Sequence, residues 1–217
     1  MSQFESDHCL SCGKPHRVCV CALCEPLATR ARVLILQHPQ EQDVVLGSAP
    51  LLTQALPKAT VRVGLSWRSL AHALGEEDVR AHSWAVLYPA SLPRPLTSEE
   101  EAAPCVLLDS RGRPQAPRKV RGLVVLDGSW SQAKALWWRN AWLLKLGRVI
   151  LHPAEASIYG RLRREPKRTY LSTLESVAEA LSGLGEAPDV RVVLRRVFRC
   201  MVQRARDASA DAAATQR

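Results

Sequence analysis

No stretch of this sequence approaches the roughly 18 consecutive apolar residues that a membrane-spanning helix requires, so a spanning protein is not expected. The first twelve residues, MSQFESDHCLSC, lack the basic start and apolar centre of a secretory signal. Export is therefore not expected, and a cytoplasmic location is. Also missing are the GxGxxG and P-loop patterns, the GxSxG elbow and the HExxH motif. Their absence disfavours nucleoside-triphosphate chemistry and serine hydrolysis. No internal repeat is visible. The 217 residues suit one compact domain with at most a small appendage. A hydrophobic content of 47% is ordinary for a globular chain and too high for a disordered one.

Cysteine, by contrast, is crowded. Five of the seven cysteines (Cys9, Cys12, Cys19, Cys21 and Cys24) fall within sixteen residues. In a reducing compartment such crowding points to metal binding rather than cross-linking. Cys9-x2-Cys12 offers one pair of ligands at the bite that zinc takes. The second pair must come from Cys19, Cys21 and Cys24, with His8 and His16 as weaker candidates. Four thiolates leave no open coordination position, so the metal is expected to be structural. It would staple a knuckle over residues 8–25 that is too short for a core of its own, and so present Lys14, His16 and Arg17 to a nucleic acid. Cys105 and Cys200 lie in apolar segments and read as buried small hydrophobes.

The charge is the next constraint. Lys and Arg number 30 against 21 Asp and Glu, a net charge of +9. Residues 111–121 (RGRPQAPRKVR) carry five cations and no acid, and residues 161–168 (RLRREPKR) carry five cations and one acid. Arg191, Arg195, Arg196 and Arg199 form a third group. Such blocks can be plain solvated surface, but three of them on a basic chain favour a polyanionic partner, namely nucleic acid.

Continuous apolar runs of strand length recur at 32–36, 84–88, 105–109, 122–127 and 148–151, with a further candidate at 60–63. Runs without alternation suit strands buried on both faces of a parallel sheet. Helical spacing appears at 48–56, 130–144, 172–184 and 189–205. The alternation predicts an α/β domain. Residues 89–121, rich in proline and charge, are expected to contain a loop, and the tail 207–217 is expected to be disordered.

One buried strand ends in Asp127, followed by Gly128, which permits a tight turn, and Ser129, which forms a capping-box pattern with Gln132. In open α/β sheets ligands bind at the carboxyl ends of strands, so Asp127 is a candidate base or orienting group, the alternative being a plain turn residue. Trp130 could stack on a base or belong to the core. Ser172 and Glu175 make a second capping box, whose helix amides could hold an anion or a hydroxyl. His38, after the first strand, is a third candidate.

Together these residues resemble the DTW-domain family, the tRNA-uridine aminocarboxypropyltransferases. The naming motif stands as Asp127-Gly128-Ser129-Trp130, with Ser129 in place of the usual Thr, which keeps the hydroxyl and the cap. Around it stand the N-terminal C-x2-C and C-x-C pairs, HPxE at 38–41, Tyr159-x-x-Leu162-Arg163-x-Glu165-Pro166, and Leu171-Ser172-Thr173-x-Glu175. The resemblance covers about residues 8–200. It implies transfer of the 3-amino-3-carboxypropyl group of S-adenosylmethionine to N3 of a tRNA uridine, in the variable loop, with release of methylthioadenosine. It implies a SPOUT-like catalytic domain over 29–206 with a mostly parallel sheet and a C-terminal trefoil knot, preceded by a zinc knuckle over 1–28. The implied metal ligands are Cys9, Cys12, Cys19 and Cys21, with Cys24 as an extra cysteine. Asp127, Ser129 and Trp130 fall to catalysis. His38, Gly128, Tyr159, Leu162, Arg163, Leu171, Ser172, Thr173 and Glu175 fall to the cofactor. Arg118, Lys119, Arg121, Arg161, Arg164, Lys167 and Arg168 would bind tRNA, and neither a membrane nor an obligate protein partner is expected. A SPOUT-like RNA methyltransferase and a non-catalytic zinc-stapled RNA-binding module are the rival readings.

Overall fold

In the computed structural model, which describes residues 7–87, 94–160, 162–163 and 171–215, the apolar runs become six strands. They are β1 (Arg32–Gln37), β2 (Ala59–Val63), β3 (Trp84–Leu87), β4 (Cys105–Leu108), β5 (Gly122–Asp127) and β6 (Gly147–Leu151). One sheet holds them in the order β2-β1-β5-β3-β6-β4. Every neighbouring pair is parallel except β4, which runs antiparallel to β6 at one edge. A parallel strand needs a crossover that carries the chain back along the sheet. Between β3 and β4 the described residues hold one short helix, α3 (Ser98–Ala102).

Both faces of the sheet are covered. On one, Val33 and Ile35 of β1 and Leu123 and Val125 of β5 pack with α1 (Ala49–Ala55), α5 (Thr173–Gly183) and α6 (Pro188–Thr215). On the other, Leu34, Leu36, Val124 and Leu126 meet α2 (Leu70–Leu74), α4 (Trp130–Arg139) and the turn at Ala141–Lys145. The apolar stripe expected on α6 is buried in full: Val190, Leu194, Val197, Phe198, Met201 and Val202.

Three expectations differ from the structure. The helical spacing over 130–144 is interrupted at Asn140, where α4 gives way to a 3-10 turn. Asn140 is fully buried, and its amide donates to the carbonyls of Leu136 and Leu65 while its carbonyl accepts from the amide of Trp67. This tertiary fastening overrides the local period and turns Leu144 out to solvent. At the other end of the chain, α6 continues to Thr215, through residues the sequence reading leaves without structure. Those residues lack an apolar stripe but are rich in alanine, the strongest helix former. In the third arginine group, Arg195 is buried against Glu155 and Glu179, and Arg191 also pairs with Glu179, so these two cations are neutralised within the fold.

The centre of the sheet imposes one close approach. Trp84 of β3 lies flat across Gly122 of β5, with the Arg32 guanidinium 5.5 Å over its ring. A Cβ at position 122 would sit 2.4 Å from ring atoms of Trp84. Gly122→Ala is therefore expected to destabilise the fold by about 1–3 kcal/mol through overpacking, although alanine is otherwise the better strand residue. A thermal melt checks this: the midpoint should fall by roughly 2–4 °C for each kcal/mol in a chain of this size.

Candidate active site and metal knuckle

Strands β1 and β5 are adjacent and parallel, but their connections diverge. The chain leaves β1 through α1 toward β2, and leaves β5 through α4, on the opposite face, toward β6. Between two such strands the loops part and open a crevice at their carboxyl ends. Gln37 and Asp127 are cross-strand partners there and close the two strands side by side.

Asp127 is buried, with 3% of its surface exposed. Its Oδ2 accepts from Gln37 Nε2 at 2.8 Å and its Oδ1 from Thr173 Oγ1 at 2.5 Å. The backbone amide of His38 donates to the Asp127 carbonyl at 2.9 Å. One residue thus joins β1, β5 and the first residue of α5. Gly128 is required next to it, since a Cβ would lie 2.9 Å from Gln132 Cβ and 3.4 Å from His38 Cβ. Ser129 caps α4 as its spacing predicts: Oγ accepts from the Gln132 amide, and the Ser129 amide donates to Gln132 Oε1 at 2.6 Å. Gln132 Nε2 in turn donates to Gln40 Oε1, so the start of α4 is tied to the 38–41 turn. Trp130 is 39% exposed at this end of the helix rather than in the core.

The second capping box is present and turned inward. Glu175 is fully buried and accepts from the Ser172 amide and hydroxyl, the Ser157 hydroxyl and the Ile158 amide. The Leu174 amide donates to Ser48 Oγ, and the Glu175 amide to Ser172 Oγ. These donors are therefore committed within the fold. Of the amides at 172–175, that of Thr173 alone lacks an acceptor among the described residues. Arg163 pairs at 2.6 Å with Glu41, which is 4% exposed, and its guanidinium lies 5.8 Å over the Tyr159 ring. Tyr159 is buried edge-on against Phe198 and donates its hydroxyl to the Leu46 carbonyl. Burial pushes its phenol above the ordinary tyrosine range. Leu162 is half-buried against the core that holds Tyr159 and Phe198, and Leu171 is half-buried.

The structure therefore brings His38, Asp127, Gly128, Ser129, Trp130 and Thr173 to one crevice, with Arg163 held by Glu41. It separates the basic residues from them. Arg118, Lys119 and Arg121 are exposed just before β5, at its amino end, roughly 17 Å of strand away from Asp127. Arg161, Arg164, Lys167 and Arg168 lie outside the described residues.

The cysteine cluster resolves to one set. The sulfurs of Cys9, Cys12, Cys19 and Cys21 all lie within 4.8 Å of one another, a group that could hold a metal ion. Cys9 and Cys21 are 3.9 Å apart and Cys12 and Cys19 3.7 Å. Bonds of about 2.3 Å to a tetrahedral ion require sulfurs about 3.8 Å apart, so the donors fit such an ion. These distances are far beyond a disulfide bond. Backbone amides of Cys12 and Ser11 lower the Cys9 thiol to about 6, whereas burial pushes the Cys12 and Cys21 thiols up. Cys24 stands apart, its thiol directed at the Val20 carbonyl and pushed up to about 11 by burial.

Lys14, expected to face a nucleic acid, is instead buried. Its ammonium donates to the carbonyls of Val45 at 2.8 Å and Gly47 at 2.5 Å. Burial pulls its pKa down, opposed by the negative charge of Cys12 and of Asp127. His16 and Arg17 remain exposed on the knuckle. The knuckle is not a free appendage, since Val18 and Val20 join the main core and Arg204 of α6 donates to the Cys19 carbonyl.

Four residues that build the crevice were not given this role by sequence reasoning: Lys14, which was expected to face a nucleic acid, Gln37 and Glu41, which flank the His38 segment, and Ser48. Gln37 and Glu41 carried a signal, being polar residues at and just after the end of a buried strand. Lys14 and Ser48 carried none, because their partners lie 33 and 126 residues away.

An α/β domain with a buried aspartate between two capped helix starts, and a four-cysteine knuckle docked beside it, is the class these features define. The chain belongs to the DTW-domain family, whose model matches residues 6–206. It is similar to proteins named tRNA-uridine aminocarboxypropyltransferase 2 from Macaca fascicularis (30% identical, covering 89% of this chain and 61% of the relative) and from Drosophila melanogaster (30%, 87% and 70%). It is also similar to tRNA-uridine aminocarboxypropyltransferase A from Arabidopsis thaliana (26%, 88% and 76%). The chain thus spans about three fifths of the length of the mammalian relatives it matches. No solved structure matches it. Among the described residues no helix is long and apolar enough to cross a membrane.

The ligand geometry yields a direct test by metal analysis of purified variants. Cys21→Ser should lose most of the bound metal, whereas Cys24→Ser should keep one ion per chain. The wild-type ion should be released as pH falls, because protons compete for the thiolates.

Proposed function

We propose that this protein is a tRNA-uridine aminocarboxypropyltransferase, moving the 3-amino-3-carboxypropyl group of S-adenosylmethionine to N3 of a uridine in the tRNA variable loop. The observation that carries this reading is the buried Asp127, held between Gln37 and Thr173 at the divergence of β1 and β5, in a chain that the family matches over 6–206. The names of the relatives and the +9 charge support tRNA as the substrate. The catalytic unit is residues 29–206, of SPOUT-like fold with a C-terminal knot, acting in the cytoplasm, and the knuckle of 1–28 holds structural zinc. The four-sulfur geometry supports the zinc, and the family resemblance supports the fold.

S-adenosylmethionine supplies a sulfonium that makes the attacked γ-carbon electrophilic. Uridine N3 is a poor nucleophile while protonated, and Asp127 accepts its proton as the N3–Cγ bond forms. The Cγ–S bond breaks, its electron pair passes to sulfur, and neutral methylthioadenosine leaves. Both Asp127 oxygens already accept one hydrogen bond, and each retains a further acceptor position for this task. Gln37 and Thr173 fix the direction of the carboxylate, which decides the reaction by positioning. The Thr173 amide and the Arg163 guanidinium meet the carboxylate of the aminocarboxypropyl group. Gly128, His38, Leu162 and Leu171 shape the pocket, and Trp130 at its mouth meets the base. Tyr159, Ser172 and Glu175 are positioning residues that act through Thr173 and Arg163.

Nucleoside mass spectrometry after incubation with S-adenosylmethionine and unmodified tRNA tests the reading. A uridine heavier by one aminocarboxypropyl group, with methylthioadenosine released, is the expected result. A methylated nucleoside with adenosylhomocysteine would make the protein a methyltransferase, and no change across a tRNA panel would overturn catalysis on tRNA. Asp127→Asn should slow transfer about a hundredfold or more while leaving tRNA affinity in place. Equal loss of both would remove the base role.

A further inference from the structure

Helix α4 begins at the crevice with Trp130 and leads away from it, and its outward side is unusual in composition. Lys134 follows Trp130 by one turn and Trp138 follows Lys134 by another, so the three stand in a row along one ridge. Trp138 is 73% exposed, although tryptophan is among the costliest side chains to leave in water. Lys134 and Arg139, exposed on either side of it, form no ion pair among the described residues. No Asp or Glu occurs from Gly128 to Ala154, whereas Lys134, Arg139 and Lys145 are exposed there, Arg148 being buried in β6. The ridge is therefore cationic and aromatic with no local counter-charge, which complements a polyanion that carries flat apolar faces.

We propose that the outward ridge of α4 is an RNA-contact surface, on which Trp138 stacks an unpaired base neighbouring the target uridine and Lys134 and Arg139 meet the flanking phosphates. Eight residues of helix place Trp138 about 12 Å from Trp130 along the axis, the span of a few nucleotides. Base–aromatic stacking tolerates any sequence and needs the RNA to be locally unpaired, as in a loop. The ridge would thus select a loop rather than a duplex. This inference rests on tRNA being the substrate proposed above.

Equilibrium binding of an unmodified tRNA transcript, read by anisotropy across a salt series, tests it independently of transfer. Trp138→Ala should weaken binding about tenfold, and Trp138→Phe should restore most of it. The Lys134→Ala/Arg139→Ala double variant should flatten the slope of log affinity against log salt by between one and two units. Unchanged melting midpoints for all three would exclude misfolding, as exposed positions predict. An affinity for Trp138→Ala within twofold of wild type at every salt overturns the proposal, even if wild type modifies tRNA normally. So does a change in sedimentation coefficient in Trp138→Ala without any loss of RNA affinity, which would make the ridge a self-association face. Failure of wild type to bind tRNA at all would remove the tRNA reading, and this inference with it.

Discussion

A single buried carboxylate holds the crevice together. Asp127 receives Gln37 from β1 and Thr173 from α5, so one side chain registers two strands and a helix. Burying a carboxylate is costly unless it is well paired. Here no ion pair is made to it among the described residues. Two neutral donors, each contributing about 1.5–3 kcal/mol to a charged acceptor, and the positive start of α5 offset that cost. Removing either donor would loosen the carboxylate and the two elements it joins.

The knuckle reaches the same place by another route. Lys14, between the two cysteine pairs, anchors the 45–47 backbone. The next residue, Ser48, accepts from the α5 amide of Leu174, and Leu46 accepts from Tyr159, over which Arg163 lies. The order of the cysteine cluster is therefore transmitted to the turn at which α5 begins. A metal tying the four sulfurs would have a structural consequence beyond the knuckle itself, because the atoms it would order lead by successive contacts to the neighbours of Asp127.

Much of this was legible locally. The strands other than β2 were marked by continuous apolar runs, since a strand covered on both faces has no polar side to disguise it, whereas the edge strand β2 (ATVRV) is part-exposed and interrupted by Arg62. Ser129/Gln132 and Ser172/Glu175 marked the starts of α4 and α5, because a capping box is completed within four residues. The five-residue helices α2 and α3 were not legible, being too short for a period to show. The break at Asn140 was hidden for a different reason: it depends on Leu65 and Trp67, about 75 residues earlier.

The same division separates what the sequence by itself determined from what the tertiary structure decided. Composition, apolar runs and capping patterns specified an α/β chain with a cysteine knuckle and an aspartate at a strand end, because each of these is written in neighbouring residues. Strand order, the antiparallel edge strand and the divergence of β1 from β5 are pairings between distant segments, and no local spacing encodes them. Only the assembled fold turned Lys14 inward and placed Arg118, Lys119 and Arg121 at the end of the sheet away from Asp127. Each of those outcomes depends on which buried group lies opposite in space, and that is settled only when the core closes.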